Sequence, residues 1–158
     1  MTKKKKTIAR KPPRKSPRAV SRGAAAAAPP RRARAAARAT RATARRIAAF
    51  ALERKAADVV VMDLRKVTDV TSFFIVCTGA STSQVKAIAD HVLDACKKAR
   101  LDVYQVEGYD ALRWVLIDLI DVVVHVFLPD VRGYYQLERL WGDAPFERLD
   151  ESAAEALP

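Results

Sequence analysis

Bulky apolar residues are nearly absent before Ile47 and recur from there on with two distinct periods. Ile47, Phe50 and Ala51, followed by Arg54, give a short helical stripe. DVVVMDL (58–64) is a continuous apolar run between aspartates, which predicts a strand buried on both faces. SFFIVCTG (72–79) is a second such run, ended by Gly79. The segment STSQVKAIADHVLDACKKAR then returns to the helical period. Val85, Ile88, Ala89, Val92, Cys96 and Ala99 form its apolar stripe, and Ser81 and Gln84 stand at capping-box spacing. Lys97, Lys98 and Arg100 fall at its end, where the helix dipole favours cations.

A short strand is expected around Val103 to Val106. LRWVLIDL (112–119) and DVVVHVFL (121–128) lie close enough to form a hairpin. Alternation along the first puts Trp114, Leu116 and Asp118 on one face and Val115, Ile117 and Leu119 on the other. Pro129 breaks the second strand, and Asp130 is positioned to cap. Tyr134, Leu137, Glu138 and Trp141 mark a final helix ended by Gly142. Residues 146–158 read as a flexible acidic tail. The order β-α-β, then β-β-α, predicts a mixed sheet flanked by helices, an α/β or α+β domain.

Charge changes this picture at the N-terminus. Residues 1–46 hold 17 of the 29 Lys and Arg and no acidic residue, a formal +17; the remainder carries −6. The high isoelectric point therefore describes a tail, taken as residues 1–42, and not the body, taken as 43–145. The Lys run at 3–6, Pro12, Pro13, Pro17, an Ala run and Pro29-Pro30 predict disorder over the first 30 residues. Beyond them Arg31, Arg34, Arg38, Arg41 and Arg45 fall at 3-4-3-4 spacing, one face if helical. Such a stripe suits contact with an anion such as nucleic-acid phosphates. A mitochondrial transit peptide is the rival reading, since those are also Arg-rich and acid-poor, and would make the protein organellar. Early prolines and the scarcity of bulky apolar residues argue instead for a retained cytoplasmic tail.

The longest apolar run, Val122 to Leu128, is interrupted by His125 and is far too short to span a bilayer, so no membrane association is expected. Cys77 and Cys96, each in an apolar context, read as reduced core thiols.

No catalytic set is visible. His91 and His125 are the only imidazoles; the first sits beside Asp90 on a helix, and the second interrupts a strand. They and the cysteines lie in separate elements, which gives no metal site and no cofactor. Asp63, Asp69, Asp118 and Asp121, with GAST (79–82) at a helix start, raise a divalent-metal nucleotidyltransferase as an alternative. Two metal-binding carboxylates on one strand should stand two apart, and no D-x-D occurs. A large aromatic beside a carboxylate on a sheet face suits a binding hot spot better. A third reading, a general nucleic-acid-binding protein, rests on the basic tail alone.

The segments KAADVVVMDLRKVTDVTSFFIVCTGASTSQVKAIADHV, EG, RWVLIDLIDVVVHVF and RGYYQLERLWGDAP together resemble the ribosomal silencing factor RsfS (Iojap-related) family over about residues 47–145. The resemblance implies a mixed sheet flanked by helices with a nucleotidyltransferase-like topology. It implies a non-enzymatic translational repressor that binds the large ribosomal subunit through ribosomal protein L-fourteen and blocks subunit joining when nutrients are scarce. A homodimer is also suggested. The family's contact surface falls here on Trp114, Leu116, Asp118, His125, Arg132, Tyr135 and Glu138. Two departures stand out: Ile120 replaces a usual turn glycine, and Ser72 a usual aspartate. Since a β-branched residue is strained at positive φ, a different turn type is expected at Ile120. The basic extension is not part of the family pattern.

Overall fold

The structure, a computed structural model, describes residues 41–152. In chain order the elements are α1 (Arg41–Leu52), β1 (Ala57–Asp63), β2 (Phe73–Thr78), α2 (Thr82–Lys98), β3 (Gln105–Glu107), β4 (Trp114–Asp118), β5 (Val122–Phe127), α3 (Pro129–Tyr135), α4 (Leu137–Leu140) and β6 (Phe146–Leu149). The strands form one mixed sheet in the order β3-β4-β5-β2-β1-β6, parallel only between β2 and β5. This is the α+β architecture that the alternation of periods predicts.

Residue type explains which strands lie in the middle. β5 is buried along its whole length and β1 across Val59–Met62, because both carry apolar side chains to both faces. One face packs under α1 and α2: Ile47, Ala48 and Ala51 from α1 meet Val85, Ile88, Ala89 and Val92 from α2 over Ile75, Val115, Ile117 and Val124. Cys77 and Cys96 lie in this layer as free, buried thiols. Burial pushes Cys77 up to about 12, so it is held as an unreactive thiol.

The capping box at the start of α2 forms with one change. Ser81 Oγ accepts from Gln84 N at 3.2 Å, but Gln84 Oε1 accepts from Ala80 N, one residue earlier than the motif's usual reach. The Gln84 amide also donates to the Lys55 carbonyl at 2.9 Å and ties α2 to the end of α1.

Four expectations need correction. The final helix is two short helices, because Gln136 takes a left-handed φ of 47° between them. Asp130 does not cap: Leu128 is the N-cap residue, Pro129 sits in the first turn, and Asp130 pairs instead with Arg113. The acidic tail does not begin at 146, since Phe146–Leu149 pairs antiparallel with Val59–Met62 as an edge strand. Leu149 is buried there, and Glu147 is bound by Arg45, which gives that short segment its anchor. Finally, Ile120 does take positive φ, at 72°. Asp121 N donates to Leu119 O at 2.9 Å across it, a γ-turn of the rare positive-φ kind, and Asp118 Oδ1 accepts from Ile120 N at 2.6 Å.

Candidate functional site: the open face of the sheet

The second face of the sheet is only partly covered. α3 and α4 pack Val131 and Leu137 over Val60, Met62, Val76 and Phe127. Trp114, Leu116 and Asp118 alternate outward from β4 and remain half-exposed. Their cross-strand partners on β5 are Phe127, His125 and Val123, all buried. On the other side, Glu107 and Gln105 of edge strand β3 stand opposite Leu116 and Asp118, both exposed.

An aromatic cluster supports this row. The Trp114 ring stacks on Phe127, with centroids 4.9 Å apart and planes 26° apart, and Tyr135 tilts against it at 4.8 Å. Phe74 meets His125 in a T-shape at 4.7 Å and Trp141 at 5.7 Å. Beside the cluster, Tyr134 and Leu140 are 81% and 73% exposed, although their side chains are those a core would use. The face thus combines a fixed aromatic centre, an apolar rim and two carboxylates, Glu107 and Asp118.

His125 lies beneath the face. It is buried, its Nδ1 accepts from Trp114 Nε1 at 3.1 Å, and its Nε2 has no hydrogen-bond partner among the described residues. Burial pushes its imidazole down to about 4, partly opposed by the Glu138 carboxylate. It is therefore neutral at physiological pH and orients Trp114.

Arg132 and Glu138 hold the face from within. Arg132 donates to the Asp58 carbonyl at 2.8 Å, to Thr78 Oγ1 at 2.7 Å and to Glu138 Oε1 through Nε at 3.0 Å. In a continuous helix residues six apart point about 120° apart, nearly two turns along the axis, and do not face each other. The left-handed Gln136 brings Arg132 and Glu138 together and pins α4 to α3.

Of the seven residues expected at a contact surface, Trp114, Leu116, Asp118 and Tyr135 thus reach solvent on one face. His125 is buried beneath it, and Arg132 and Glu138, partly exposed, are paired with each other, Arg132 also donating to Thr78. Phe74, Tyr134 and Leu140, over the buried Phe127, complete the face and were not singled out from sequence as contacts; Trp141, an aromatic anchor of the same segment, packs partly buried against Phe74. The hairpin register pairing Trp114 with Phe127 is the signal that could have found Phe127.

The remaining candidates separate. Arg41 and Arg45 belong to α1, where they pair with Asp63 and Glu147; Arg31, Arg34 and Arg38 lie outside the described residues. Asp63 is gripped by the Arg65 guanidinium and backbone, which hold its carboxyl down at about 2. Among the described residues no group of three or more His, Cys, Asp or Glu is arranged to hold a metal, and no helix is long and apolar enough to cross a membrane.

The domain is thus a mixed α+β sheet with one helix-covered face and one aromatic, partly bare face. Its family is settled by comparison: a model described as "Ribosomal silencing factor during starvation" matches residues 37–157, and the chain belongs to the RsfS family. It is 46% identical over 106 residues to the ribosomal silencing factor RsfS of Bacillus subtilis, covering 66% of this chain and 90% of that protein. It is 34% identical over 110 residues to mouse "mitochondrial assembly of ribosomal large subunit protein 1", covering 67% of this chain and 48% of that one. A crystal structure of a Chromobacterium violaceum protein superposes with a TM-score of 0.60 at 42% identity, over 61% of this chain and 81% of that one. One from Bacillus halodurans gives 0.58 at 40% identity, over 65% and 94%.

Proposed function

We propose that this chain is a translational repressor that docks its open sheet face on the large ribosomal subunit, through ribosomal protein L-fourteen, and excludes the small subunit when nutrients are scarce. Family membership supports the ribosomal setting. The observation that carries the docking reading is the half-exposed Trp114, Leu116 and Asp118 row, fixed from behind by Phe127 and His125. Rigid aromatics bind at low entropic cost, and the carboxylates Asp118 and Glu107 complement a basic ribosomal protein. Repression is steric and makes or breaks no bond. The same face is the natural contact for a second copy in solution, so ribosome binding and homodimerisation compete. Residues 1–40 act as a retained cytoplasmic tail that adds contacts to ribosomal RNA phosphates without setting the docking site.

The test is subunit joining followed by light scattering with purified subunits. Saturating protein slows joining, and the Trp114→Ala variant at the same concentration does not. Joining at the control rate with wild-type protein present refutes the proposal.

A further inference from the structure

On the opposite side of the molecule, α1 and α2 run antiparallel and leave a cleft of 270 Å³ lined by Arg46, Phe50, Glu53, His91, Lys98 and the small Ala95 and Ala99. We propose that this cleft is a phosphate site that seats the backbone of a single-stranded RNA segment, with Arg46 and Lys98 as its cationic walls.

Uncompensated charge is the first argument. Of the 15 Lys and Arg in residues 41–152, eight are in ion pairs. Of the seven others, Arg46 and Lys98 line this cleft, and Lys97 and Arg100 flank Lys98 in sequence at the end of α2. Lys97 and Lys98 also complement the α2 dipole, but that offsets only about half a charge. Asp94 lies one turn before Lys98 and forms no ion pair with it among the described residues.

The cleft's shape is the second. Phe50, Ala95 and Ala99 make a half-buried apolar floor, which keeps water from beneath the cations and strengthens their pull on an anion. The far end is closed by His91 Nε2 against Glu53 Oε2 at 2.6 Å, so a bound strand leaves toward Arg41. Residues 1–40, with 14 Lys and Arg and no acidic residue, join the body at that end. A cationic cleft on a chain that runs on into so basic a segment fits a polymer with one phosphate per unit. The cleft deepens the RNA part of the function proposed above and is independent of the sheet face.

The test uses the full chain and a fluorescein-labelled 12-nucleotide single-stranded RNA, with affinity measured by polarisation between about 50 and 200 mM salt. Three variants are compared: Arg46→Gln/Lys98→Gln, the charge-matched Lys66→Gln/Arg139→Gln, and Arg31→Gln/Arg34→Gln/Arg38→Gln. Each lost phosphate contact lowers the salt slope by about 0.7, so the cleft pair lowers it by about 1.4 while the matched pair leaves it unchanged. Equal slopes for the cleft and matched pairs overturn the proposal, whatever the tail variant does. A tail variant that alone loses slope keeps the tail reading and removes the cleft. Competition by polyglutamate as effective as by unlabelled RNA overturns the assignment to RNA.

Discussion

Trp114 Nε1 donates to His125 Nδ1 at 3.1 Å diagonally across the β4–β5 hairpin, two residue pairs away from direct register. The bond requires an unprotonated Nδ1, so it fixes the tautomer of a buried imidazole and the direction of the exposed-side indole together. Protonating His125 breaks the bond and leaves a charge among Phe74, Phe127 and Trp114.

This gives a pH prediction. The folded imidazole sits at about 4 against an ordinary 6.5, so between pH 6.5 and 4.5 the unfolded chain takes up a proton that the folded one refuses. Stability therefore falls as pH falls through that window, by roughly 2–3 kcal/mol. The lowered carboxyls of Asp63, Asp90 and Glu147 lose their contribution mainly below it. Urea unfolding at pH 7 and 4.5 should show this difference in wild type and little of it in His125→Gln. Equal losses in both would assign the dependence elsewhere.

Gly108 is a steric requirement of the open face. Its φ is 73°, and an added Cβ would stand 2.0 Å from the Trp114 carbonyl oxygen. Gly108→Ala combines backbone strain with a hard clash, so a loss of about 2–4 kcal/mol is expected. Thermal unfolding checks it; a melting temperature within 2 °C (about 0.5 kcal/mol) of wild type would contradict the geometry.

Arg132 and Glu138 are a partly buried pair, 13% and 28% exposed at the side chain. Arg132→Met leaves Glu138, Thr78 and the Asp58 carbonyl without their donor and should cost about 3 kcal/mol. Adding Glu138→Leu should recover part of that loss, because it removes the stranded carboxylate. A double variant no more stable than the single would show that α4 is held by other contacts.

The turn at Ile120 should relax with glycine. A β-branched residue at φ 72° carries about 1–2 kcal/mol of strain, and glycine's extra unfolded-state entropy offsets about half to one of these. Ile120→Gly is expected to raise stability by up to about 1 kcal/mol, measured by chemical unfolding. A clear loss would mean that the half-buried Ile120 side chain contributes more than its backbone costs.

Much of the fold was legible because its central strands are apolar on both faces and α2 has a clean stripe with Ser81 at its cap. The outward row on β4 follows from alternation alone. What the residues hid were features set by tertiary contact. Gln136 has no strong left-handed preference, yet the Arg132–Glu138 pair holds it there. Phe146–Leu149 is too short and charged to read as a strand until β1 offers an edge and Arg45 a partner for Glu147. His125 has the chemistry of a contact residue, and only packing reveals that it is buried, while Arg132 and Glu138 are tied to each other across the break between α3 and α4.

The central claim is that the Trp114 face docks on the large ribosomal subunit. Co-sedimentation of the full chain with purified large subunits measures it most directly, using Trp114→Ala and Leu116→Ala alongside Val70→Ala, an exposed side chain of the β1–β2 loop. The account predicts that Trp114→Ala weakens binding by about 2 kcal/mol, roughly 30-fold, that Leu116→Ala weakens it less, and that Val70→Ala changes nothing. Wild-type affinity in both face variants, with native circular dichroism, would contradict it.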